Sequence, residues 1–296
     1  MIGNGPARGR ERIAAAPISW GVCEVPGWGH QMSTERVLGE MRDLGLSATE
    51  AGPDGFLPSE ASRLCESLDR YGLRLVGGFL PLVLHGDRRR WRPPLDGVAR
   101  RFAAAGGEVV VLAAATGLAG YDARSELTAE EWGRLCAALD EAARLVAGRG
   151  LRAVLHPHVG TVVERPDEIA RVLGGSSISL CVDTGHIMAG GGDPVTITRQ
   201  APERVGHVHV KDVRAELARL VAEGKLPYSD AVRDGLFCPL GDGDIDVPAL
   251  VEGLGGAGYD GWYVLEQDVM LDAEPPGGHG PRGGVGQSAA YLRSLL

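Results

Sequence analysis

Four polar side chains each end a short apolar run in the second half of the chain. His156 ends "AVLH", Asp183 ends "SLCVD", His209 ends "VGHVH" and Glu266 ends "WYVLE". If these side chains meet at one point, their lone pairs repel one another or stay unsatisfied unless a cation lies between them. Two imidazoles and two carboxylates suit a divalent transition metal such as Mn²⁺, Co²⁺, Fe²⁺ or Zn²⁺. The pattern therefore predicts a metal site that can act as a Lewis acid.

A second set of polar residues lies close to the first in the sequence. His158 and His186 follow the runs that end at His156 and Asp183, and Lys211 comes two residues after His209 and so points to the same side. Glu50 ends an earlier apolar run. His207 shares the face of His209 one layer deeper, so we expect it to support the site from behind.

Lysine usage is unusual and points to the same region. The chain has only Lys211 and Lys225 among its 30 basic residues, and five of its eight histidines lie between His156 and His209. Arginine cannot lose its proton in a protein, whereas lysine can. The placement of Lys211 beside two histidines suggests a residue that transfers protons.

The elements that must position these residues alternate in type along the chain. Amphipathic stretches with apolar residues at three- and four-residue spacing separate the apolar runs and predict helices. Eight strands, each followed by a helix, predict a (β/α)8 TIM barrel, whose strands end at one common mouth. The predicted strands are Ile13–Ser19, Ser47–Ala51, Arg74–Phe79, Val109–Ala113, Arg152–His156, Ile178–Val182, Val205–Val210 and Trp262–Glu266.

We expect a single domain over residues 1–296, because no linker divides the chain. The connection 213–248 after the seventh strand is longer than most loops, which predicts a cover over the active site. The Gly/Pro-rich stretch 272–287 predicts a flexible loop before a last helix over 287–296.

Composition limits the function classes. A net charge of −9 and a pI near 5.4 argue against a nucleic-acid partner, and the basic cluster "RRRWR" at 88–92 is interpreted as a solvated helix start. No apolar run reaches the ~20 residues of a membrane span. The apolar stretch after the N-terminal basic residues is too short for a signal peptide and is interrupted by Pro. Five scattered cysteines without C-x-x-C predict free thiols. These features favour a cytoplasmic protein.

Other catalytic motifs are weak or missing. "GLGGAG" at 253–258 fits G-x-G-x-x-G but follows a predicted helix, which argues against a dinucleotide site. The sequence contains no Walker motif, no G-x-S-x-G and no H-E-x-x-H, and nothing supports a Ser or Cys nucleophile.

Several segments in order resemble a known superfamily. "APISWG", "TEAGPDGFLP", "LHPHVGT", "CVDTGHIMAGGGDP", "HVHVKDV", "GDGDIDVPAL" and "GYDGWYVLEQD" are similar to sugar phosphate isomerases/epimerases with xylose isomerase-like barrels, from about residue 13 to 270. Within that superfamily they look most like inosose dehydratase-like proteins of inositol catabolism.

The resemblance implies a metal held by Glu, Asp, His and Glu from strands five to eight. Asp183, His209 and Glu266 match three of these positions, and His156 stands where the first Glu is expected. Related epimerases use two carboxylates on opposite faces of the substrate, so the histidine removes that symmetry and favours dehydration. The implied metal is Mn²⁺ or Co²⁺, with Zn²⁺, Fe²⁺ and Mg²⁺ as alternatives.

The expected reaction is loss of water from a polyol ketone or keto-sugar by enolisation. The metal stabilises the enolate oxygen, and Glu266 or Lys211 removes the alpha proton, with the pKa of Lys211 expected to be lowered by nearby cations. His186 or His158 donates a proton to the departing hydroxyl, and Glu50 and Trp20 hold the substrate. A homodimer or homotetramer is common in this superfamily.

Three alternatives stay open. A sugar isomerase or epimerase would exchange the alpha proton without losing water. A phosphodiesterase of the endonuclease-IV type shares the barrel but needs further histidines on strands two and three, where this chain has Glu50 and Phe79. A barrel that only binds a ligand would not require the complete set of metal ligands.

Overall fold

The computed structural model describes residues 12–296, and its centre is a closed barrel of eight parallel strands. Neighbouring strands pair in the ring order β1-β10-β7-β6-β5-β4-β3-β2. The barrel strands are β1 (Ile13–Ala15), β2 (Ala48–Glu50), β3 (Arg74–Leu82), β4 (Val109–Ala114), β5 (Arg152–Leu155), β6 (Ser179–Asp183), β7 (Val205–Val210) and β10 (Tyr263–Leu265). A separate two-stranded sheet consists of β8 (Asp212–Val213) and β9 (Phe237–Cys238).

Helices connect the strands around the outside, which confirms the predicted (β/α)8 architecture. They are α1 (Thr34–Asp43), α2 (Ala61–Asp69), α3 (Arg88–Ala104), α4 (Ala129–Ala147), α5 (Pro166–Gly175), α6 (Thr184–Ala189), α7 (Pro194–Gln200), α8 (Ala215–Ala222), α9 (Tyr228–Arg233), α10 (Val247–Gly256) and α11 (Pro281–Leu295). No described helix is long and apolar enough to cross a membrane. The prediction of a single domain over 1–296 includes residues 1–11, which lie outside the described part.

The strand residues alternate between two apolar clusters. Those that face the helices form the larger cluster. The other face forms a compact interior of small and β-branched residues, the usual filling of a barrel core: Ala14, Ala48, Val76, Val111, Val154, Cys181 and Val264. The interior is therefore packed solid, and any site must lie at a strand end.

The boundaries differ from the sequence prediction at both ends of the chain. The first strand ends at Ala15, and Pro17–Trp20 form a 3-10 turn instead of its continuation. Pro17 favours this turn because its ring fixes φ and removes one backbone donor. The last helix begins at Pro281, so the loop expected over 272–287 ends at residue 280. Within it, the Glu274 carboxylate binds His30 Nε2 at 2.6 Å.

The long connection 213–248, which we predicted to cover the active site, is ordered and includes a helix in its first part. It carries α8, α9 and β9, and its Gly/Asp-rich stretch folds around Asp212. The Asp212 carboxylate accepts backbone N–H groups of Gly241, Gly243 and Ile245 at 2.9 to 3.1 Å. A Cβ at Gly243 would lie 2.2 Å from Asp212 Oδ1, so this close approach requires glycine.

Two sequence motifs have purely structural places. The basic cluster begins α3, as the sequence predicted; the structure adds that Asp87 caps the helix and that Trp91 is buried. Arg92 Nε lies 3.3 Å from Glu141 on α4, so part of the positive charge is paired between helices. The G-x-G-x-x-G match spans the end of α10 and the turn after it, which is not a dinucleotide-binding context.

Candidate active site

The strand alternation carries the four predicted ligands into the barrel mouth. His156, Asp183 and Glu266 each lie two residues beyond an interior residue of the same strand, namely Val154, Cys181 and Val264. Side chains two positions apart share a face of a strand. Asp183 also pairs with His209 across β6 and β7. The same geometry that fills the core therefore makes these side chains converge.

The convergence is close. One ligand atom from each of His156, Asp183, His209 and Glu266 lies within 4.8 Å of all the others. Asp183 Oδ2 lies 3.4 Å from His156 Nε2 and 3.5 Å from His209 Nδ1. His209 Nδ1 lies 3.4 Å from Glu266 Oε2. The structure thus brings together all four residues that the sequence singled out.

Hydrogen bonds fix which nitrogen of each histidine faces the others. His156 Nδ1 lies 2.7 Å from the Pro157 carbonyl, and His209 Nε2 lies 3.0 Å from Glu50 Oε1. A nitrogen that faces an acceptor carries the proton, so His156 Nε2 and His209 Nδ1 are left with lone pairs. Asp183 Oδ1 accepts the backbone N–H of His186 at 2.7 Å, which turns Oδ2 toward those lone pairs.

This arrangement fits a divalent cation. Asp183 Oδ2 and His209 Nδ1 are buried and have no hydrogen-bond partner, a costly state for polar atoms. Three largely buried carboxylates, from Asp183, Glu266 and Asp268, lie within 3.4 Å of one ammonium group, that of Lys211, and a fourth, from Glu50, contacts His209. A divalent cation would satisfy both orphan atoms and balance most of the excess negative charge.

The Glu50 carboxylate contacts one of the four proposed metal ligands, which are called the ligand set here: His156, Asp183, His209 and Glu266. Its Oε1 lies 2.9 Å from His207 Nε2 and 3.0 Å from His209 Nε2. Burial alone would raise the pKa of Glu50, but His209 and His207 outweigh burial and hold this pKa below its usual value. The residue also lines the cavity. Its contact with substrate stays a prediction, and its hydrogen bond also orients the His209 ring.

The charged groups around His209 shift its own pKa. Burial would lower its pKa, but Cys181, Glu266 and Glu50 outweigh burial and raise the pKa of His209 well above its usual value. A proton on Nδ1 and a cation bound to Nδ1 are alternative ways of satisfying these negative groups.

Lys211 reaches the edge of the ligand set. Its Nζ lies 2.7 Å from Asp268 Oδ1, 3.0 Å from Glu266 Oε2 and 3.4 Å from Asp183 Oδ2. Burial would lower the pKa of Lys211, but these three carboxylates raise it above its usual value. The expectation of a lowered pKa is therefore wrong, because carboxylates and not cations dominate its surroundings.

His158 and His186 stack on each other beside the ligands, with ring centroids 3.7 Å apart. His158 Nδ1 lies 2.6 Å from the Val159 carbonyl, which leaves Nε2 as an acceptor. Burial, with the nearby His186, holds the pKa of His158 well below its usual value. Burial and the Lys211 charge also lower the pKa of His186. Both residues line the cavity as uncharged imidazoles.

Trp20 does not reach the site. Its side chain is completely buried, and its indole N–H donates to Glu40 Oε2 at 2.8 Å. The residue does not line the cavity. Its proposed contact with substrate is corrected accordingly, because the 3-10 turn that replaces the end of the first strand turns it into the core between barrel and helices.

Several cavity residues were not predicted from the sequence. The cavity has a volume of about 270 Å³, and its upper walls include Trp28, Tyr121, Tyr228 and Asp268. Asp268 could have been found, because it lies two residues beyond Glu266 on the same alternation. The three aromatic residues lie in connecting segments without a periodic pattern.

Hydrogen bonds join the connecting segments above the cavity. Tyr121 Oη donates to Glu24, and Asp122 accepts the backbone N–H of Ser229 at 3.0 Å and its hydroxyl at 2.7 Å. The segment after β4 is thereby linked both to the segment after β1 and to the start of α9. These contacts join the segments that carry Tyr121 and Tyr228, both of which line the cavity.

Comparison with known proteins places this site in a family context. The xylose isomerase-like TIM barrel family model matches residues 38–295. The rhizopine catabolism protein MocC of Rhizobium meliloti is 34% identical over 273 residues, covering 87% of this chain and 81% of that protein. An inosose dehydratase of Geobacillus kaustophilus (strain HTA426) is 34% identical over 271 residues, covering 87% of each chain.

Structural similarity agrees with the sequence matches. The structure of an L-ribulose 3-epimerase superimposes with a TM-score of 0.69 at 19% identity, covering 96% of this chain and 94% of that one. The family model covers most of the chain, and two relatives exceed 30% identity over most of their own length. The chain therefore belongs to the xylose isomerase-like TIM barrel family.

Proposed function

We propose that this protein is a divalent-metal-dependent dehydratase that acts on a cyclic polyol ketone, an inosose or a near relative. The observation that carries the proposal is the convergence of His156, Asp183, His209 and Glu266 within 4.8 Å at the barrel mouth. The similarity to inosose dehydratases over 87% of the chain supports the substrate class. The histidine at the first ligand position supports dehydration over epimerisation, because it leaves no symmetrical carboxylate pair.

The four ligands would hold the cation, and Mn²⁺ or Co²⁺ suits two imidazoles and two carboxylates best. When bound, a divalent cation polarises a ketone oxygen and so acidifies the adjacent C–H. Glu50 and His207 keep His209 in the orientation that binding requires.

His158 is the proposed base. Glu266 and Lys211 were the initial candidates, but Glu266 Oε2 is shared with His209 and Lys211, and Lys211 keeps its proton. His158 lines the cavity, and its lowered pKa keeps Nε2 unprotonated near neutral pH. It accepts the alpha proton, and the electron pair of the broken C–H bond forms the new C=C bond.

Lys211 donates a proton to the leaving oxygen, and His186 supplies Lys211 with a new proton. As the new double bond forms, the C–O bond to the β-hydroxyl breaks and its electron pair leaves with the oxygen. The Lys211 ammonium protonates that oxygen, and water departs. A raised pKa does not prevent this step, because a departing hydroxide has a conjugate acid with a pKa of about 15.7. His186 stacks on His158, and its Nε2 lies 3.5 Å from Asp268, the carboxylate that binds Lys211, so it can return the proton from base to donor.

The test is incubation of the Mn²⁺- or Co²⁺-loaded protein with 2-keto-myo-inositol in D₂O. Appearance of diketone absorbance with loss of water supports the proposal, and His158→Gln should abolish it while metal binding persists. Exchange of the alpha proton without loss of water would assign an epimerase or isomerase instead. A metal-loaded protein that does neither with any polyol ketone would overturn both.

The proposed setting is the cytoplasm. All five cysteines, which lie within residues 12–296, are free thiols, and three of them are buried. Free thiols of this kind are usual in a reducing compartment.

A further inference from the structure

The connection between β7 and α10 contributes a side chain to the centre of the site. Tyr228, the first residue of α9, is buried, and its Oη donates to Asp268 Oδ2 at 2.5 Å. The other oxygen of the same carboxylate, Oδ1, accepts from Lys211 Nζ at 2.7 Å. Asp268 thus bridges a residue of the connection and the ammonium group at the edge of the ligand set.

The geometry points to Asp268 as a positioning residue for Lys211, with Tyr228 bracing the Asp268 carboxylate. This inference rests on the proposed function for the role of Lys211 as proton donor. The placement itself rests only on the contacts among the three residues.

The surroundings of Lys211 explain why such a residue is needed. Its long side chain has many rotamers, and the ligand carboxylates Asp183 and Glu266 lie at 3.4 and 3.0 Å from Nζ, farther away than Asp268. Without Asp268, the ammonium would turn toward those two carboxylates and compete with a cation for them. Asp268 gives the ammonium its shortest contact, at 2.7 Å, and so holds it where it lies relative to the cavity.

Tyr228 limits the freedom of Asp268 in turn. With Oδ1 bound to Lys211 and Oδ2 bound to Tyr228, both oxygens of the carboxylate have a partner, and its plane is fixed. The Phe237 ring packs over Lys211 Nζ at 5.0 Å from the ring centroid. Two residues from the connection therefore restrict the same ammonium group, Phe237 directly and Tyr228 through Asp268.

The chain offers a direct measurement, because it contains only two lysines. Selective ¹⁵N-lysine labelling gives one ammonium signal for Lys211 and one for Lys225. The buried, hydrogen-bonded Lys211 should exchange its protons slowly enough to be observed in an NMR spectrum. Lys225, whose side chain is 63% exposed, should exchange rapidly.

Asp268→Asn and Tyr228→Phe are the test variants. We expect Asp268→Asn to remove or strongly shift the Lys211 signal and to lower kcat about 100-fold, with KM within about threefold of wild type. Tyr228→Phe keeps the ring and should shift the same signal, with kcat about tenfold lower. Glu223→Gln is the matched control, because Glu223 Oε2 lies at the same 2.7 Å from Lys225 Nζ on the surface.

The outcomes separate this inference from the proposed function. An unchanged Lys211 signal in a folded Asp268→Asn or Tyr228→Phe protein would overturn the inference whatever the activity. A wild type that dehydrates no ketone, with the Lys211 signal lost in Asp268→Asn but kept in Glu223→Gln, would overturn the proposed function and support the placement. A fall in metal affinity equal to the fall in kcat would also overturn the inference, since Asp268 would then support the ligands instead.

Discussion

Replacing Glu50 by glutamine tests whether this carboxylate orients His209 for metal binding. The substitution keeps the shape of the side chain and removes its charge. In the native protein, Glu50 Oε1 accepts from both His207 Nε2 and His209 Nε2 at 2.9 and 3.0 Å. The amide introduced by the substitution can rotate its NH₂ group toward the imidazole, which would place the His209 proton on Nδ1, the nitrogen that faces the other ligands.

The structure sets the size of the effect. A buried hydrogen bond to a charged group contributes about 1.5–3 kcal/mol, and loss of such a partner behind a metal ligand weakens affinity about 10–100-fold. Because the amide oxygen of glutamine can still accept one of the two bonds, we expect a loss within that range and not above it.

Isothermal titration with Mn²⁺ at fixed pH gives the affinity of each variant. Glu40→Gln is the matched control, since Glu40 is also a buried carboxylate that accepts from two donors, Trp20 at 2.8 Å and Arg36 at 3.0 Å, but it lies away from the ligands. Equal affinities for wild type and Glu50→Gln, or equal losses in both variants, would refute the orienting role.

Three further predictions concern the metal and the core. Adding Mn²⁺ at 100 times its Kd to metal-free protein should stabilise the fold by about 2.7 kcal/mol, and for 296 residues this raises Tm by about 4 °C in scanning calorimetry; no shift would argue against a metal bound at the orphan atoms. The raised pKa of His209 means that the metal-free protein gains stability from this proton below pH ~6.5 and loses that contribution as pH rises through the folded-state pKa. Metal affinity measured by titration should therefore increase with pH over this window, by up to about tenfold per unit, and an affinity independent of pH would contradict it. Trp20→Phe should lower the free energy of unfolding in urea by about 1–3 kcal/mol, because buried Glu40 loses a hydrogen-bond donor. A change in KM without a loss of stability would instead show that Trp20 contacts substrate.

The convergence of the four proposed ligands was predictable because it follows from the strand period. His156, Asp183 and Glu266 come two residues after interior positions, and a two-residue period needs no knowledge of the rest of the fold. The barrel itself followed from eight repeats of strand and helix. Local sequence was sufficient in both cases.

The electrostatics of Lys211 were not predictable in the same way. Its pKa depends on Asp183, Glu266 and Asp268, which lie 28, 55 and 57 residues from it in the sequence and meet only in the closed barrel. Trp20 was misplaced because the first strand ends at Ala15 and not at Ser19, and the 3-10 turn that follows directs the Trp20 side chain into the core. Turn geometry, unlike strand period, depends on tertiary context.

The position of Tyr228 was the hardest feature of the site to predict from the sequence. It lies in a connection that has no counterpart in a regular repeat of strand and helix, and its Oη is 2.5 Å from a carboxylate 40 residues away. Only the three-dimensional path of residues 213–248 brings it there.

The wall residues and the proposed ligands lie in different parts of the sequence. Substrate preference and metal affinity, which usually change together, can therefore be altered separately. The ends of the strands supply all four proposed metal ligands, whereas connecting segments supply walls of the cavity, among them Trp28, Tyr121 and Tyr228. A combinatorial library at Val22, Trp28 and Tyr121, which line the cavity from connecting segments, would vary the shape of the cavity without altering a proposed ligand. Substrate preference could then be redesigned on a scaffold whose affinity for metal stays constant.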